Sequence, residues 1–380
     1  MRESAAGTAP PGLPIRSTVE GVTWPVFPEP AGEAMLAMIW QLERSERLPA
    51  NRLHALQLVQ ARAVVRHAAT HVPFYRELWR GLDFDPCVDP LTPKRFAALP
   101  IVTRAMLAQA GVAAVSAVVP AGHGAIQIGA TSDANGSTLP FRSTGLTQFM
   151  WRALTLRDHL WHRRDLGGKL AAIRRMPQAR IEESNWGLAT ASLCTTGPAV
   201  GLDIDHDIVD QAAWLIEQNP DSLITYPDNP YALAGWFNGH GVRLPRLHDV
   251  RTISAPVTPE HRAACRAAFG VSLVDSYSTK RLGYIALQCP AHDHYHVQEE
   301  SVVLELVDAD GVPVVKGTRG RVIATSLLNF AMPLVRYDTG DHATAGGACN
   351  CGRTLRVLGR INGRERNTMQ LPGHQRRQPS

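Results

Sequence analysis

Apolar positions recur at helical spacing over residues 31–47 (Met35, Met38, Ile39, Leu42) and over 53–70 (Leu56, Leu58, Val59, Ala63, Val64). They predict two amphipathic helices near the start. Pro73 should stop the second, because a proline disfavours helical geometry at the residue before it. A helix is expected within 147–172, carrying Trp151, His159, Trp161 and His162, with a return to a strand near Lys169 to Ile173. Residues 208–218 repeat the helical pattern (Ile208, Ala212, Ala213, Leu215, Ile216), 223–227 read as a buried strand, and 231–237 as the next helix. At 250–260 a strand runs into a helix with Thr258 as N-cap and Pro259 at its first position. Strands follow at 271–277 and 321–328. Alternation of this kind argues for an α/β domain with mostly parallel sheets flanked by helices. Residues 1–30, rich in Pro, Gly and Ala, read as a flexible arm.

Composition narrows the function classes. The 380 residues are 44% hydrophobic, enough for a large core. The net charge of +5 suits anionic ligands, but the basic residues are scattered and lack the aromatic-interleaved stripe of a nucleic-acid surface. No apolar run approaches the roughly 20 residues of a membrane span, and the N-terminus has no signal-peptide core, so no membrane partner is expected. Six scattered cysteines suit a reduced, cytoplasmic setting.

Two stretches carry chemistry. Arg336-Tyr337-Asp338-Thr339-Gly340-Asp341 closes an apolar strand with a Thr-Gly turn and an acid at its exit. Read alone, Asp341 is a turn residue; a carboxylate fixed there also accepts the two hydroxyls of a ribose. The second is Cys289-Pro290-Ala291-His292-Asp293-His294-Tyr295-His296 with the distant Cys349-Asn350-Cys351. Thiolates and imidazole in a reduced protein point to a closed, structural zinc site. Cys289, Cys349 and Cys351 supply three ligands, and His292, His294 and His296 compete for the fourth.

RYDTGD followed by CxCGR and then Gly363-Arg364 resembles the closing part of the large domain in adenylate-forming enzymes, nearest the phenylacetate–CoA ligase-like and coenzyme F390 synthetase-like branch. His71-Val72-Pro73-Phe74-Tyr75 and Leu99-Pro100-Ile101-Val102-Thr103-Arg104 resemble its N-terminal part, although packing and capping suffice to explain both. The resemblance implies that Asp341 holds the ribose of ATP and that Arg364 marks a hinge. It implies that Ser254, Ala255 and Pro256 form the corner against which adenine lies. It implies that Tyr277 stacks on adenine, that Asp275 meets the adenine amino group, and that His296 is the fourth metal ligand.

Two devices depart from the family pattern. The phosphate loop, about TSGTTGxP in relatives, corresponds here to residues 131–140: Thr131, Ser132 and Gly136 are kept, Asp133 replaces a glycine, and Asn135 replaces a hydroxyl residue. Arg281 stands where a magnesium-binding glutamate is expected, and a guanidinium offers no oxygen to the ion. Either Asp133 and Arg281 pair across the phosphate position, or Arg281 clamps a phosphate or substrate carboxylate.

The expectation is therefore a large domain over 31–364 with a zinc-bearing β subdomain at about 285–364. Residues 365–380 should be a hinge remnant and tail, without the small C-terminal domain of relatives. The expected activity is an atypical ATP-dependent formation of an acyl-adenylate from a small aromatic acid in specialised biosynthesis, with Arg281 and Asp133 as the candidate catalytic pair. The alternative is a catalytically degenerate binder of nucleotide or acyl-adenylate. ATP or AMP and structural zinc are the expected cofactors, with no conventional magnesium ligand at 281. The acid's acceptor or companion is open between CoA, a carrier protein and a partner enzyme, and a homodimer is the oligomeric reading.

Overall fold

Residues 13–132 and 138–364 are described by the computed structural model, with the backbone of 369–370 and 376–377. They divide into two units. One comprises the described residues up to Gln41, Arg152–Ile253 and Val257–Val274; the other comprises Leu42–Trp151, Ser254–Pro256 and the described residues from Asp275 on.

The first unit carries the predicted parallel sheet. Its strands lie in the order Asp249–Thr252, Ser222–Thr225, Leu170–Arg174, Ala199–Asp203, with Arg180–Glu183 antiparallel at the edge. Ile173, Leu223 and Val250 are fully buried, as parallel strands covered by helices require. The covering helices have clear ends. Asp207 accepts the Asp210 N–H at 2.8 Å to start Ile208–Gln218, which stops at Asn219 in the left-handed region (φ 41°). Thr258 caps Pro259–Phe269, and Gly270 (φ 71°) closes it. The helix expected within 147–172 is Gly145–Trp161, and the strand after it begins at Leu170.

The second unit is built on an antiparallel sheet, ordered Val302–Val307, Arg319–Ser326, Tyr337–Ala345, Val357–Arg364, Tyr295–Val297, Gly283–Gln288 and then Leu273–Thr279, which pairs from Ser276 onward. A separate hairpin joins Ile126–Ser132 to Thr138–Thr144. Helix Ala50–His71 ends before Pro73 as expected, but its buried residues are Leu53, Gln57, Ala61, Val64, Val65, His67, Ala68 and Ala69. Leu56 and Val59, two apolar positions of the predicted helical pattern, are 55% and 70% exposed. Leu53, Val64 and Val65 supply the apolar bulk of the buried face.

The two motifs read as packing residues position the Asp341 strand. The buried Tyr75 hydroxyl donates to the Pro333 carbonyl at 3.0 Å and accepts the Val335 N–H at 3.0 Å, stapling the turn before that strand. Val102 lies alongside: its N–H donates to the Arg336 carbonyl and its carbonyl accepts from Asp338 N–H, both at 2.9 Å. Arg336 adopts φ 46° and spreads its guanidinium over both Glu305 oxygens, at 2.9 and 3.0 Å, and the carbonyls of Ala97 and Leu99. Among the described residues no helix is long and apolar enough to cross a membrane.

Candidate functional site

The turn at residues 338–341 is wound by its own side chains. Gly340 takes φ 77°, which glycine adopts without steric cost, and its N–H donates to Asp338 Oδ1 at 2.8 Å. The Asp341 N–H donates to Thr339 Oγ1 at 3.1 Å, and Thr339 passes its own proton to the Val322 carbonyl at 3.1 Å. Asp341 is thereby aimed at two partners. Tyr277 Oη donates to Asp341 Oδ2 at 2.8 Å, and Arg364 Nε stands 3.5 Å from Oδ1. Arg364 is the register partner of Asp341 across the sheet, so strand pairing sets this ion pair. Burial pushes the Asp341 carboxyl above its usual range, against the opposing pull of the Tyr277 hydrogen bond and the Arg364 charge. Burial, then the Asp341 charge, push the Tyr277 phenol well up. A carboxylate has about four acceptor sites. With one taken by Tyr277 and one shared with Arg364, Asp341 retains capacity for two more donors, and its side chain is 13% exposed.

Tyr277 thus meets Asp341 through its hydroxyl, and its ring is 7% exposed. Asp275, two residues earlier on the same strand face, is also engaged: its Oδ2 accepts from Tyr295 Oη at 2.7 Å and it is 2% exposed. Ser254, Ala255 and Pro256 belong to the same unit. Ser254 and Ala255 are exposed, and Ser254 takes φ 73°, a conformation costing a non-glycine residue about 1–3 kcal/mol and concentrated at functional sites.

Arg281 is buried in the turn before Gly283. Its Nη2 donates to Thr131 Oγ1 at 2.6 Å and to the Leu139 carbonyl at 3.1 Å, and its Nη1 reaches Tyr337 Oη at 3.4 Å. Thr131 and Leu139 are register partners in the hairpin, so Arg281 grips both strands leading into the expected phosphate loop. Arg104 contacts the same threonine, at 3.3 Å to both its hydroxyl and its carbonyl. Two guanidinium groups converge on one side chain. Arg104 was not among the expected site residues; the run ending Thr103-Arg104 offers only a helix cap. Asp133, Asn135 and Gly136 lie outside the described residues, as does the side chain of Ser132.

A second cluster forms from distant segments. One ligand atom each from Cys289, His296, Cys349 and Cys351 lie within 4.8 Å of one another. Cys289 Sγ and Cys349 Sγ are 3.9 Å apart, and Cys351 Sγ is 3.3 Å from His296 Nε2. The choice of histidine follows from the sheet: His296 lies on the short strand Tyr295–Val297, paired with Leu287 and Val357. His292 instead bonds Asn350 Oδ1 at 2.7 Å, and His294 stacks against His292. His296 Nδ1 faces the Leu355 carbonyl at 3.3 Å. That contact places the proton on Nδ1 and leaves the Nε2 lone pair toward the thiols, the tautomer a metal needs. The Cys351 N–H points at Cys349 Sγ at 3.4 Å, and Arg353 Nη1 approaches Cys351 Sγ at 3.8 Å. Three thiolates and one imidazole around a divalent ion carry one net negative charge, which Arg353 offsets. The donor set and its closure fit a four-coordinate metal.

No protein-family model matches the chain. A curated "Phenylacetate-coenzyme A ligase" of Thermus thermophilus is 26% identical over 353 residues, 88% of this chain and 75% of that protein. A solved 2-hydroxyisobutyryl-CoA ligase, crystallised in the postadenylation state, superposes with a TM-score of 0.72 at 20% identity, over 89% of this chain and 73% of that one. This is the adenylate-forming ligase fold. An open form of the same ligase, with its acyl-AMP and CoA, matches at a TM-score of 0.69 over 87% of this chain and 79% of its own. The likeness to phenylacetate-coenzyme A ligase is one of sequence, and the likeness to the 2-hydroxyisobutyryl-CoA ligase one of fold.

Proposed function

We propose that this protein binds an adenylate at Asp341 and activates a small carboxylic acid, an aromatic one from a specialised biosynthetic pathway, as an acyl-adenylate. The observation that carries the proposal is the Asp341 carboxylate, held by Tyr277 and Arg364 with acceptor capacity to spare, on a fold shared with acyl-CoA ligases. The strained Ser254 corner supplies the adenine wall in this reading, and CoA is the favoured acceptor. Arg281 and Arg104, fixed at the base of the hairpin, bring positive charge to the phosphates where relatives are expected to use a magnesium-binding acid. Cys289, His296, Cys349 and Cys351 hold zinc in a structural role, tying the strand at 295–297 to the turn at 349–351.

ATP–pyrophosphate exchange with a panel of aryl and short aliphatic acids tests the activity. Acid-dependent exchange that disappears in Asp341→Ala supports it. The second reading, an inert binder of nucleotide or acyl-adenylate, is favoured by Arg281, which already donates to Thr131 and Leu139. It expects no exchange but calorimetric binding of AMP or an acyl-sulfamoyl adenosine. No heat with any of these ligands removes both readings.

A further inference from the structure

Helix Ala50–His71 turns one face away from the core of its unit, and that face lines a surface cavity of about 550 Å³. The lining includes Arg62, Arg66, His67, Thr70 and His71, with the exposed Val59 at one end, and none of the residues gathered at Asp341 or Arg281. The volume falls in the range of about 300–1,000 Å³ typical of small-ligand pockets. Arg62 and Arg66 stand one helical turn apart, a spacing at which like charges destabilise a helix. Among the described residues no carboxylate lines the cavity, and neither arginine has an ion-pair partner. Both are exposed.

The histidines add a rigid element. His67 is 9% exposed, and its Nε2 lies 2.9 Å from Ser116 Oγ and 3.0 Å from the Phe330 carbonyl. Ser116 spends its own proton on the Val118 carbonyl at 2.6 Å, so Nε2 carries the proton and the ring is locked. His71 packs beside it, ring centroids 4.8 Å apart, and the Thr70 hydroxyl donates to the Arg66 carbonyl at 2.8 Å. Two guanidinium groups one helical turn apart, with no acid beside them among the described lining residues, match the charge of a phosphate, which arginine binds bidentately.

We propose that Arg62, Arg66 and His71 form a second anion site, distinct from the nucleotide site, that takes a phosphate group of a small ligand. The source is either free inorganic pyrophosphate or the phosphates of CoA. Titration calorimetry on the full chain, with magnesium-free pyrophosphate, CoA and dephospho-CoA as separate probes, tests it. At least one probe should bind, and binding should weaken at least tenfold in Arg62→Gln/Arg66→Gln while Asp341→Ala leaves it unchanged. Arg62→Lys/Arg66→Lys, which keeps the charge but not the bidentate fork, should fall between, so a general loss of folding is recognisable. Binding by CoA but not dephospho-CoA assigns the 3′-phosphate, equal binding of the two assigns the diphosphate, and binding by pyrophosphate alone assigns the free ion. Unchanged binding in the double glutamine variant, or no binding of any probe, overturns the proposal. Failure of nucleotide binding at Asp341 leaves these outcomes as they stand.

Discussion

Asp341 carries a charge in a place that resists it. Burial raises its pKa, so the folded state favours the protonated form relative to the unfolded chain, and ionisation costs stability as pH rises through the raised folded value. Asp341→Asn should therefore be more stable than the parent at neutral pH, with the difference vanishing below the ordinary carboxylate range. Urea unfolding at several pH values checks this. The same substitution should weaken AMP binding at least tenfold by calorimetry, since an amide replaces an acceptor-only group with one that also donates. Stability and binding thus move in opposite directions, the pattern expected when a charge is kept for function. Tyr75 behaves differently. Tyr75→Phe removes the partner of both the Pro333 carbonyl and the Val335 N–H, and should cost about 1–3 kcal/mol in denaturant unfolding.

Single elements are held by buried charge as well as by apolar faces. Asp158, fully buried on helix Gly145–Trp161, meets Arg164 at 2.7 Å and Arg251 at 3.2 Å, and Arg164 also pairs with Asp249 at 2.7 Å. Burial alone would raise the Asp158 carboxyl; the two guanidinium groups overcome it and hold it well below the usual range. Its contribution is present at neutral pH and is lost as pH falls through that depressed value. Asp158→Asn leaves two buried arginines undercompensated and should cost about 3–5 kcal/mol at pH 7. Fluorescence-detected unfolding checks the size, and a smaller cost at low pH checks the sign. The Cys/His cluster makes its own prediction: elemental analysis should find about one zinc per chain, and a strong chelator should lower the melting temperature by several degrees. Cys351→Ser should abolish the metal content, a result a mere cluster of thiols would not give.

At the scale of the molecule the decisive outcome is exchange. A protein that positions an adenylate at Asp341 but draws its phosphate charge from Arg104 and Arg281 should lose exchange by at least tenfold in Arg281→Gln and in Arg104→Gln. An inert binder should show no exchange in the parent. Much of the frame was legible beforehand because helices and buried strands are written in local spacing: 208–218 was read as a helix, and that is where it lies. The rotation of helix Ala50–His71 was not, because periodicity identifies an amphipathic helix but not which of two partly apolar faces finds a partner. The β subdomain was expected, but the antiparallel direction of its strands was not legible: direction depends on which strands meet, and no residue encodes that alone.

Taken by itself, the sequence determined what chemistry was on hand: a cysteine in a histidine-rich stretch, a separate Cys-x-Cys pair, an acid after a Thr-Gly turn, and an arginine where a glutamate was expected. Those are properties of side chains and neighbours a few bonds away. Tertiary structure decided the partnerships. His296 joins the thiols because its strand pairs with Val357, Tyr277 reaches Asp341 across 64 residues of chain, and Arg104 and Arg281 share Thr131. Hydrogen bonds and charge pairs act over about 3–4 Å, and only the folded backbone brings groups so far apart in sequence within that distance.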